Sequence, residues 1–263
     1  MGEEDRFSPP TLNGIRCAAE IIRGCKHGVV LSGAGISTPS GIPDFRSTDG
    51  GIWEKYDPFE VASLSSFRYT PQKFFSWMRS LVEVIVQAQP NAAHYAVAAL
   101  EEQGYVQSII TQNIDGLHQR AGADDVLEVH GSLASLTCVS CYEQYPGENF
   151  IDSYLAFGEI PYCPACGHIL KPNLILFGEQ LPAKVFLRAQ DISKRCDLMI
   201  VAGSSLEVLP VAGLPMRAVE SGAHLILINK SKTYLDVRAD VVLHEDVVDV
   251  LPAIVQAVNQ KKR

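Results

Sequence analysis

Short apolar runs that alternate with helical patterns are the feature that most constrains the fold of this chain. The predicted strands lie at residues 29–32, 106–111, 126–129, 198–202, 225–228 and 241–243. The predicted helices lie at residues 11–26, 70–89, 91–103, 182–194, 210–221 and 246–260. This alternation predicts an α/β fold, in which a Rossmann-like parallel sheet carries helices on both faces. Such a sheet binds its ligands beyond the carboxyl ends of its strands.

Residues 138–166 interrupt this alternation. The segment is rich in Tyr, Pro, Gly and Cys, and its apolar pattern is weak. Because it is too small to bury a hydrophobic core of its own, we expect a small zinc-binding module that depends on its metal ion to fold.

Four of the seven cysteines form two Cys-x-x-Cys pairs, Cys138 with Cys141 and Cys163 with Cys166. Two such pairs can place four thiolates around one zinc ion, and four thiolates close the coordination shell, so we expect a structural zinc. A single pair could instead be a redox centre, but two pairs at this spacing favour zinc. The other three cysteines lie in helical, partly apolar segments and are predicted to be buried small residues. They are Cys17, Cys25 and Cys196.

The net charge of the chain is −8. Nucleic-acid-binding proteins need a basic face, so we expect no direct nucleic-acid partner, whereas an acidic protein suits Lys-rich peptides. The sequence has no apolar run of about 18 residues, which a membrane-spanning helix would need. It also begins without a secretory signal and carries an odd number of cysteines. We therefore expect a cytoplasmic monomer that makes no contact with a membrane.

A glycine-rich turn at residues 32–37 follows the first predicted strand. Gly33 and Gly35 would let backbone amides approach a pyrophosphate. The dinucleotide-binding fingerprint is incomplete, since Thr38 stands where its third glycine would fall. Glu54 lies about 20 positions further on, as the acidic residue of the fingerprint does, but within a loop and not at a strand end. These departures disfavour an ordinary dehydrogenase.

Residues 39–47 continue as a loop in which prolines and a glycine surround Ile42, Asp44, Phe45 and Arg46. Such a loop could fold over a ligand as a lid. The alternative is a plain surface loop, which would expose the side chains of Ile42 and Phe45 to water.

Polar residues follow two of the predicted strands. Asn113 and Asp115 come just after residues 106–111, where they could bind ribose hydroxyls or a water molecule, or could cap a helix. His130 comes directly after residues 126–129 and could act as a general base, because histidine titrates near neutral pH. The alternative is a hydrogen-bonded core histidine.

Several motifs follow one another in a characteristic order. They are Gly-Ala-Gly-Ile-Ser at 33–37, Ser-Gly-Ile-Pro-Asp-Phe-Arg-Ser at 40–47, Thr-Gln-Asn-Ile-Asp-Gly-Leu-His at 111–118, His-Gly-Ser at 130–132, the four cysteines, Lys-Pro-Asn at 171–173, Phe-Gly-Glu at 177–179, Gly-Ser-Ser-Leu at 203–206 and Ile-Asn at 228–229. In this combination the chain resembles the sirtuins, the NAD-dependent protein-lysine deacylases, and in particular their bacterial and archaeal members. The resemblance extends from about residue 18 to the last predicted helix.

The resemblance implies one catalytic domain over residues 1–263. Its large Rossmann-like NAD-binding part comprises about 1–45, 92–130 and 172–263, and its small part comprises a helical insert at about 46–91 and the zinc module at about 131–171. It also implies NAD as the co-substrate, one structural zinc ion and an acyl-lysine protein or peptide as the substrate.

The resemblance further implies the roles of individual residues, with His130 and Asn113 as the catalytic ones. The implied NAD-binding residues are Gly33, Ala34, Gly35, Ile42, Asp44, Phe45, Arg46, Gln112, Asn113, Ile114, Asp115, Gly203, Ser204, Ser205, Asn229 and Val247. The implied substrate-binding residues are Ile175, Phe177, Gly178, Glu179 and Leu206. For Ile175 and Phe177, simple core packing is an equal alternative.

In the reaction implied by the resemblance, the acyl oxygen attacks the ribose carbon that bears nicotinamide. His130 then takes a proton from a ribose hydroxyl, and the products are free lysine, nicotinamide and O-acyl-ADP-ribose. Sirtuins that prefer succinyl or malonyl groups carry a Tyr and an Arg where Met78 and Leu81 stand in this chain. The resemblance therefore implies a preference for neutral acyl groups, acetyl first.

Two other functions stay open from the sequence. An NAD-dependent oxidoreductase is disfavoured by the incomplete fingerprint, and a change in NADH absorbance would reveal it. A non-catalytic NAD-sensing zinc-ribbon module is disfavoured by the presence of Asn113, Asp115 and His130, and it would bind NAD without turnover.

Overall fold

The structure is a computed structural model that describes residues 6–44 and 57–260. In chain order the strands of these ranges are β1 (Gly28–Ser32), β2 (Val106–Thr111), β3 (Val126–Glu128), β4 (Gly131–Cys138), β5 (Gln144–Pro146), β6 (Leu170–Leu174), β7 (Leu198–Ala202), β8 (His224–Ile228) and β9 (Val241–Leu243). The helices are α1 (Pro9–Gly24), α2 (Pro58–Val61), α3 (Leu64–Tyr69), α4 (Pro71–Gln87), α5 (Ala92–Glu102), α6 (Leu117–Arg120), α7 (Glu148–Phe157), α8 (Ala183–Arg195), α9 (Leu214–Glu220) and α10 (Val247–Asn259). In the part of the chain that the structure describes, every helix is too short or too polar to cross a bilayer.

Six strands form one parallel sheet in the order β3-β2-β1-β7-β8-β9. Every residue of β1 and β7 is buried, because each face of the sheet is covered by helices. One apolar layer joins the sheet to α1, α5 and α10, and the other joins it to α8 and α9. The predicted α/β class is therefore confirmed.

The predicted strands of the large sheet and the predicted helices agree with the observed elements to within two residues at each end, apart from the start of α9. β1 and β8 begin one residue earlier than predicted, and β3 ends one residue earlier. The helix predicted at 210–221 is shorter, because a 3-10 turn at Val211–Gly213 precedes α9 and Pro215 is tolerated only in the first turn of a helix. Of the three cysteines predicted to be buried, Cys196 is buried and Cys25 is half-buried. Cys17 is exposed, contrary to prediction, because it lies on the solvent-facing side of α1.

A second sheet has three antiparallel strands in the order β5-β4-β6. Its own buried cluster is small and consists of Leu136, Cys138, Cys163 and Leu170. A larger apolar cluster lies among α2, α3, α4 and α7, centred on the fully buried ring of Phe74. The hydroxyl of Tyr154 in α7 donates to the carbonyl of Phe75 in α4, which joins the two parts of this cluster.

The strand order of the large sheet reverses between β1 and β7, so the loops that leave these strands diverge and open a cleft at their carboxyl ends. The backbones of the two loops nevertheless touch where they cross, since the N–H of Gly35 donates to the carbonyl of Gly203 at 2.8 Å. A Cβ atom on Gly203 would lie 2.4 Å from the backbone nitrogen of Ile36, and its φ is 62°. Only glycine fits at this crossing.

We expect Gly203→Ala to lower the free energy of unfolding by about 3 kcal/mol, because the methyl group clashes with backbone and the residue is held in the left-handed region. Gly222→Ala is the matched control, since Gly222 has a φ of 95° with open space around it. Left-handed strain alone costs about 1–2 kcal/mol there. Denaturant unfolding compares the two variants, and an equal loss of stability would show that the crossing tolerates a side chain.

Candidate active site

Asn113 is held between the loops that follow β1 and β2, and it is only 7% exposed. Its Nδ2 atom donates to the carbonyl of Gly33 at 3.1 Å and to the hydroxyl of Ser37 at 3.0 Å. Its backbone N–H donates to the hydroxyl of Thr111 at 3.1 Å. Among the described residues no donor reaches its Oδ1 atom, which is therefore available as an acceptor inside the cleft.

Asp115 uses its two carboxylate oxygens for different partners. One oxygen accepts the Ser37 hydroxyl at 2.7 Å, and the other accepts the N–H of Leu117, the first residue of α6, at 2.9 Å. Asp115 therefore caps a helix and also belongs to the polar wall of the cleft. Burial raises the pKa of Asp115, while the hydrogen bonds from Leu117 and Ser37 oppose this rise.

His130 lies directly between β3 and β4, and its ring is oriented by the main chain. Its Nδ1 atom lies 3.0 Å from the carbonyl oxygen of Gln112. A carbonyl oxygen only accepts, so Nδ1 carries the proton and Nε2 presents its lone pair. Burial lowers the pKa of His130, and the hydrogen bond to Gln112 opposes this shift. The ring is therefore a neutral base with a defined tautomer.

Ser37 is a functional candidate that the sequence did not predict. It is 1% exposed, it donates to Asp115, and it accepts from Asn113. The Nε2 atom of His94 lies 3.5 Å from the same hydroxyl. The Nδ1 atom of His94 accepts the backbone N–H of Asn91 in a capping box at the start of α5, so Nε2 carries the ring proton. The sequence signal that could have revealed this network is His94, which lies on an otherwise apolar helix face three residues after Asn91.

His118 extends this polar network beneath the cleft. Its Nε2 atom lies 2.8 Å from the hydroxyl of Ser32, which itself donates to Thr111 at 2.9 Å. Burial lowers the pKa of His118 to about 3, with a smaller contribution from His94, and burial lowers the pKa of His94 to about 4. Both rings are therefore neutral, and the wall beneath Asn113 and Asp115 carries no positive charge.

The loop after β7 forms the opposite wall. The hydroxyl of Ser204 accepts from Gln112 Nε2 at 2.9 Å and from the backbone N–H of Leu206 at 3.3 Å. Leu206 has a φ of 57°, which is rare outside glycine, and its side chain is buried in the core. Any contact of Leu206 with a ligand must therefore be made by its backbone.

The loop after β6 is tied to both parts of the molecule. The N–H of Ile175 donates to the carbonyl of His130 at 2.8 Å, and the backbone of Phe177 pairs with residues Ala62 and Leu64. Ile175 is half-buried, whereas the ring of Phe177 is 37% exposed and lies 5.2 Å from that of Phe59. Phe177 is therefore not simply a core residue.

Glu179 is held inside the same loop. Its Oε2 atom accepts the N–H of Leu176 at 2.9 Å and lies 3.0 Å from Lys171 Nζ. The ammonium of Lys171 also donates to the carbonyls of Pro172 and Leu174. The carboxylate thus fixes the shape of the loop, and Gly178, with a φ of 89°, forms its turn.

The four cysteines converge at one end of the small sheet. The Sγ–Sγ distances are 3.3 Å for Cys138 and Cys166, 3.5 Å for Cys141 and Cys166, and 3.6 Å for Cys141 and Cys163. All four sulfur atoms lie within 4.8 Å of one another. A tetrahedral shell with Zn–S bonds of about 2.3 Å has S–S distances of about 3.8 Å, so the four thiolates fit one zinc ion.

The sequence profile of the Sir2 family matches residues 33–210. The chain belongs to the Sir2 family. It is similar to the NAD-dependent protein deacylase 2 of Archaeoglobus fulgidus, with 47% identity over 247 residues that cover 94% of this chain and 96% of that protein. A solved structure of Sir2 with a deacetylated p53 peptide and 3'-O-acetyl ADP-ribose has a TM-score of 0.85 and 39% identity, and covers 90% of this chain and 96% of that one. The structure of Sir2Af2 bound to a myristoylated histone peptide has a TM-score of 0.80 and 41% identity, and covers 94% and 97%.

Most of the site residues expected for a Sir2 family member lie at the carboxyl edge of the large sheet. Those joined by hydrogen bonds or backbone contacts around the cleft are Gly33, Ala34, Gly35, Gln112, Asn113, Asp115, His130, Gly203 and Ser204. Ile42 and Ile114 lie beside them in the apolar cluster of the helical part. Asp44 ends the first described range, and Phe45 and Arg46 lie outside the described residues. Ser205 is exposed, and Asn229 and Val247 follow β8 and begin α10.

We expect Cys163→Ser to lose the bound zinc and most of the activity, because a shell of three thiolates no longer holds the small sheet together. Cys17→Ser is the matched control, since Cys17 is exposed on α1 and outside the cysteine cluster. Metal analysis and near-ultraviolet circular dichroism measure the effect. Full zinc content in Cys163→Ser would contradict a site of four thiolates.

We expect the ring of His130 to titrate below the usual histidine value of about 6.5, because its pKa is lowered by burial. The neutral form then persists at neutral pH and is lost only as the pH falls through this lowered pKa. Histidine NMR titration measures it, with His130→Gln to assign the signal and the exposed His27→Gln as the control. A titration midpoint at or above about 6.5 would refute this environment.

Proposed function

We propose that this chain is an NAD-dependent protein-lysine deacylase that releases nicotinamide and O-acyl-ADP-ribose. The single observation that carries this proposal is the neutral, main-chain-oriented ring of His130 beside Gln112 in the cleft. The name of the Archaeoglobus fulgidus relative and the ligands of the similar structures support it.

NAD supplies an activated bond between its ribose and nicotinamide. The chain contributes hydrogen-bond acceptors, a base and a largely buried wall to this chemistry. In our proposal Asn113 Oδ1 and the carboxylate of Asp115 orient ribose hydroxyls or a water molecule, because both groups are fixed by Ser37. His130 Nε2 accepts the proton of a ribose hydroxyl, and the carbonyl of Gln112 stabilises the imidazolium that results.

NAD would extend along the carboxyl edge of the sheet. We infer that the backbone at Gly33, Ala34 and Gly35, together with Gly203, Ser204 and Ser205, holds the phosphates, since small residues let amides approach them closely. Asn229 and Val247 would border the adenosine. Ile42, Asp44 and Ile114 would border the nicotinamide.

The acyl-lysine peptide would add as an extended strand between two loops. In this proposal it lies along Phe177, Gly178 and Glu179 on one side and along Leu206 on the other. Its backbone pairs with that of Gly178, because both backbone groups of Phe177 already pair with Ala62 and Leu64. The Lys171–Glu179 ion pair favours this arrangement, because it holds the first loop in one shape. Ile175 would line the tunnel for the lysine side chain.

The acyl group is proposed to be neutral. Met78 and Leu81 are 2% and 7% exposed, and both belong to the apolar cluster around Phe74. A carboxylate at the end of an acyl chain would meet no cation from these two residues, and burying it unpaired would be costly. One similar structure binds a peptide with a long, neutral myristoyl chain, so the proposal includes long as well as short neutral acyl groups.

The arrangement of the chain follows from the same proposal. The large NAD-binding part would comprise about 1–45, 92–130 and 172–263, and the small part would comprise the rest. We further propose that the protein acts as a cytoplasmic monomer without nucleic-acid or membrane partners.

The test is to incubate the purified protein with NAD and an acetyl-lysine peptide, and to measure the mass of the peptide and the amount of free nicotinamide. We expect loss of the acetyl group only with NAD, with equal release of nicotinamide. His130→Ala should lower kcat by about 100-fold or more, because the general base is lost. A succinyl-lysine peptide should react at least about tenfold more slowly in kcat/KM than the acetyl peptide.

Two results would contradict the proposal. Reduction of NAD to NADH, seen in absorbance without release of nicotinamide, would indicate an oxidoreductase. Binding of NAD without any turnover of acetyl, longer acyl or succinyl peptides would indicate a non-catalytic sensor module.

A further inference from the structure

His244 joins the carboxyl ends of two neighbouring parallel strands. It directly follows β9, and Asn229 directly follows β8. The Nδ1 atom of His244 lies 2.9 Å from the carbonyl oxygen of Asn229, and its Nε2 atom lies 3.0 Å from Oδ2 of Asp236. The ring therefore holds the loop between β8 and β9 at two points.

Both partners of the His244 ring are acceptors. The carbonyl of Asn229 has no proton to give, and Oδ1 of Asp236 already accepts the N–H and the hydroxyl of Thr233 at 2.9 and 2.8 Å. Burial acts to raise the pKa of Asp236, but the bonds from Thr233 and the charge of His244 outweigh it and lower that pKa. Asp236 is therefore ionised, and its carboxylate faces one nitrogen of the His244 ring while the carbonyl of Asn229 faces the other.

The group that His244 holds is at the proposed adenosine end of the cleft. The N–H of Asn229 donates to the carbonyl of Leu243 at 3.1 Å, and its side-chain Nδ2 donates to the carbonyl of Ser231 at 2.8 Å. The Oδ1 atom has no donor among the described residues, so it is free to accept a ribose hydroxyl. The position of this oxygen depends on the Asn229 backbone, which His244 fixes through its carbonyl.

The other charged groups near His244 have their own partners or lie in water. Lys230 and Asp246 form an ion pair at 2.7 Å, and Glu245 accepts the hydroxyl of Thr11 at 2.8 Å. Arg238 is exposed on the 3-10 turn that Asp236 begins. The side chain of His244 is 36% exposed.

We propose that His244 is a positioning residue for NAD, whose ring fixes Asn229 against the adenosine ribose. This inference rests on the proposed function, since it places NAD in the cleft. Without the ring, the loop between β8 and β9 loses the contacts at Asn229 and at Asp236, so Asn229 is held less firmly and NAD binds more weakly.

The first test compares His244→Gln with His224→Gln. His224 also pairs with an aspartate, Asp240, at 3.2 Å, but it lies at the opposite end of β8 and is 60% exposed. We expect His244→Gln to raise the KM for NAD about fivefold to tenfold at about pH 6, with a smaller change in kcat and in the KM for the peptide. His224→Gln should leave all three constants unchanged.

The second test uses Asp236→Asn, which keeps the ring of His244 but removes the carboxylate that faces it. We expect a smaller rise in the KM for NAD than in His244→Gln, because the contact of the ring with the carbonyl of Asn229 remains. A merely structural histidine would lower stability without changing the KM for NAD.

The outcomes separate this role from the proposed function. A wild-type KM for NAD in both variants, with an active wild-type enzyme, would overturn the role of His244 and leave the deacylase intact. If the wild-type protein releases no nicotinamide with any acyl peptide, the proposed function is wrong, and the role of His244 is wrong with it. If His244→Gln does not fold, the KM for NAD of Asp236→Asn decides.

Discussion

The crossing of the loops after β1 and β7 determines where the other groups of the cleft lie. Gly35 and Gly203 meet backbone to backbone, and no side chain fits between them. This contact starts the 3-10 turn at Ala34–Ile36, and that turn delivers Ser37 into the cleft. A parallel sheet alone would open a cleft at this point, but the glycine crossing makes its two walls into one rigid unit.

The hydroxyl of Ser37 converts this backbone contact into a polar site. It joins Asn113 and Asp115, which lie in the loop after β2, to His94 of α5, and each of the three would lose one hydrogen bond without it. An unsatisfied buried polar group costs about 1–3 kcal/mol, so the network holds its members in one arrangement. The neutrality of His94 and His118 also leaves Asp115 without a buried cation, which is why burial dominates its pKa.

The sequence predicted the large sheet well, because strands buried on both faces must be apolar along their whole length. It predicted β2, β7 and β9 with their observed ends for this reason. It did not predict β4, β5 and β6, since few of their residues are buried and metal ligands replace a core.

In the candidate site, the sequence revealed features that depend on neighbouring residues and missed a feature that depends on distant ones. The positions of Asn113, Asp115 and His130 after strands were visible in the sequence. The role of Ser37 was not, because its partners Asp115 and His94 lie 78 and 57 positions away along the chain. Nothing local distinguishes a serine that organises a site from one that ends a turn.

The zinc module has a consequence for the cleft although its four ligands leave no open position. β4 begins at Gly131, directly after His130, and β6 ends at Leu174, directly before Ile175. Gly131 pairs with Leu174, and the carbonyl of His130 accepts the N–H of Ile175. The cysteines hold the far ends of the same strands, since Cys138 ends β4 and Cys166 lies just before β6. A metal that fixes this sheet therefore also fixes the distance between His130, the proposed base, and the loop that would carry the acyl-lysine, so its influence on the site is purely geometric.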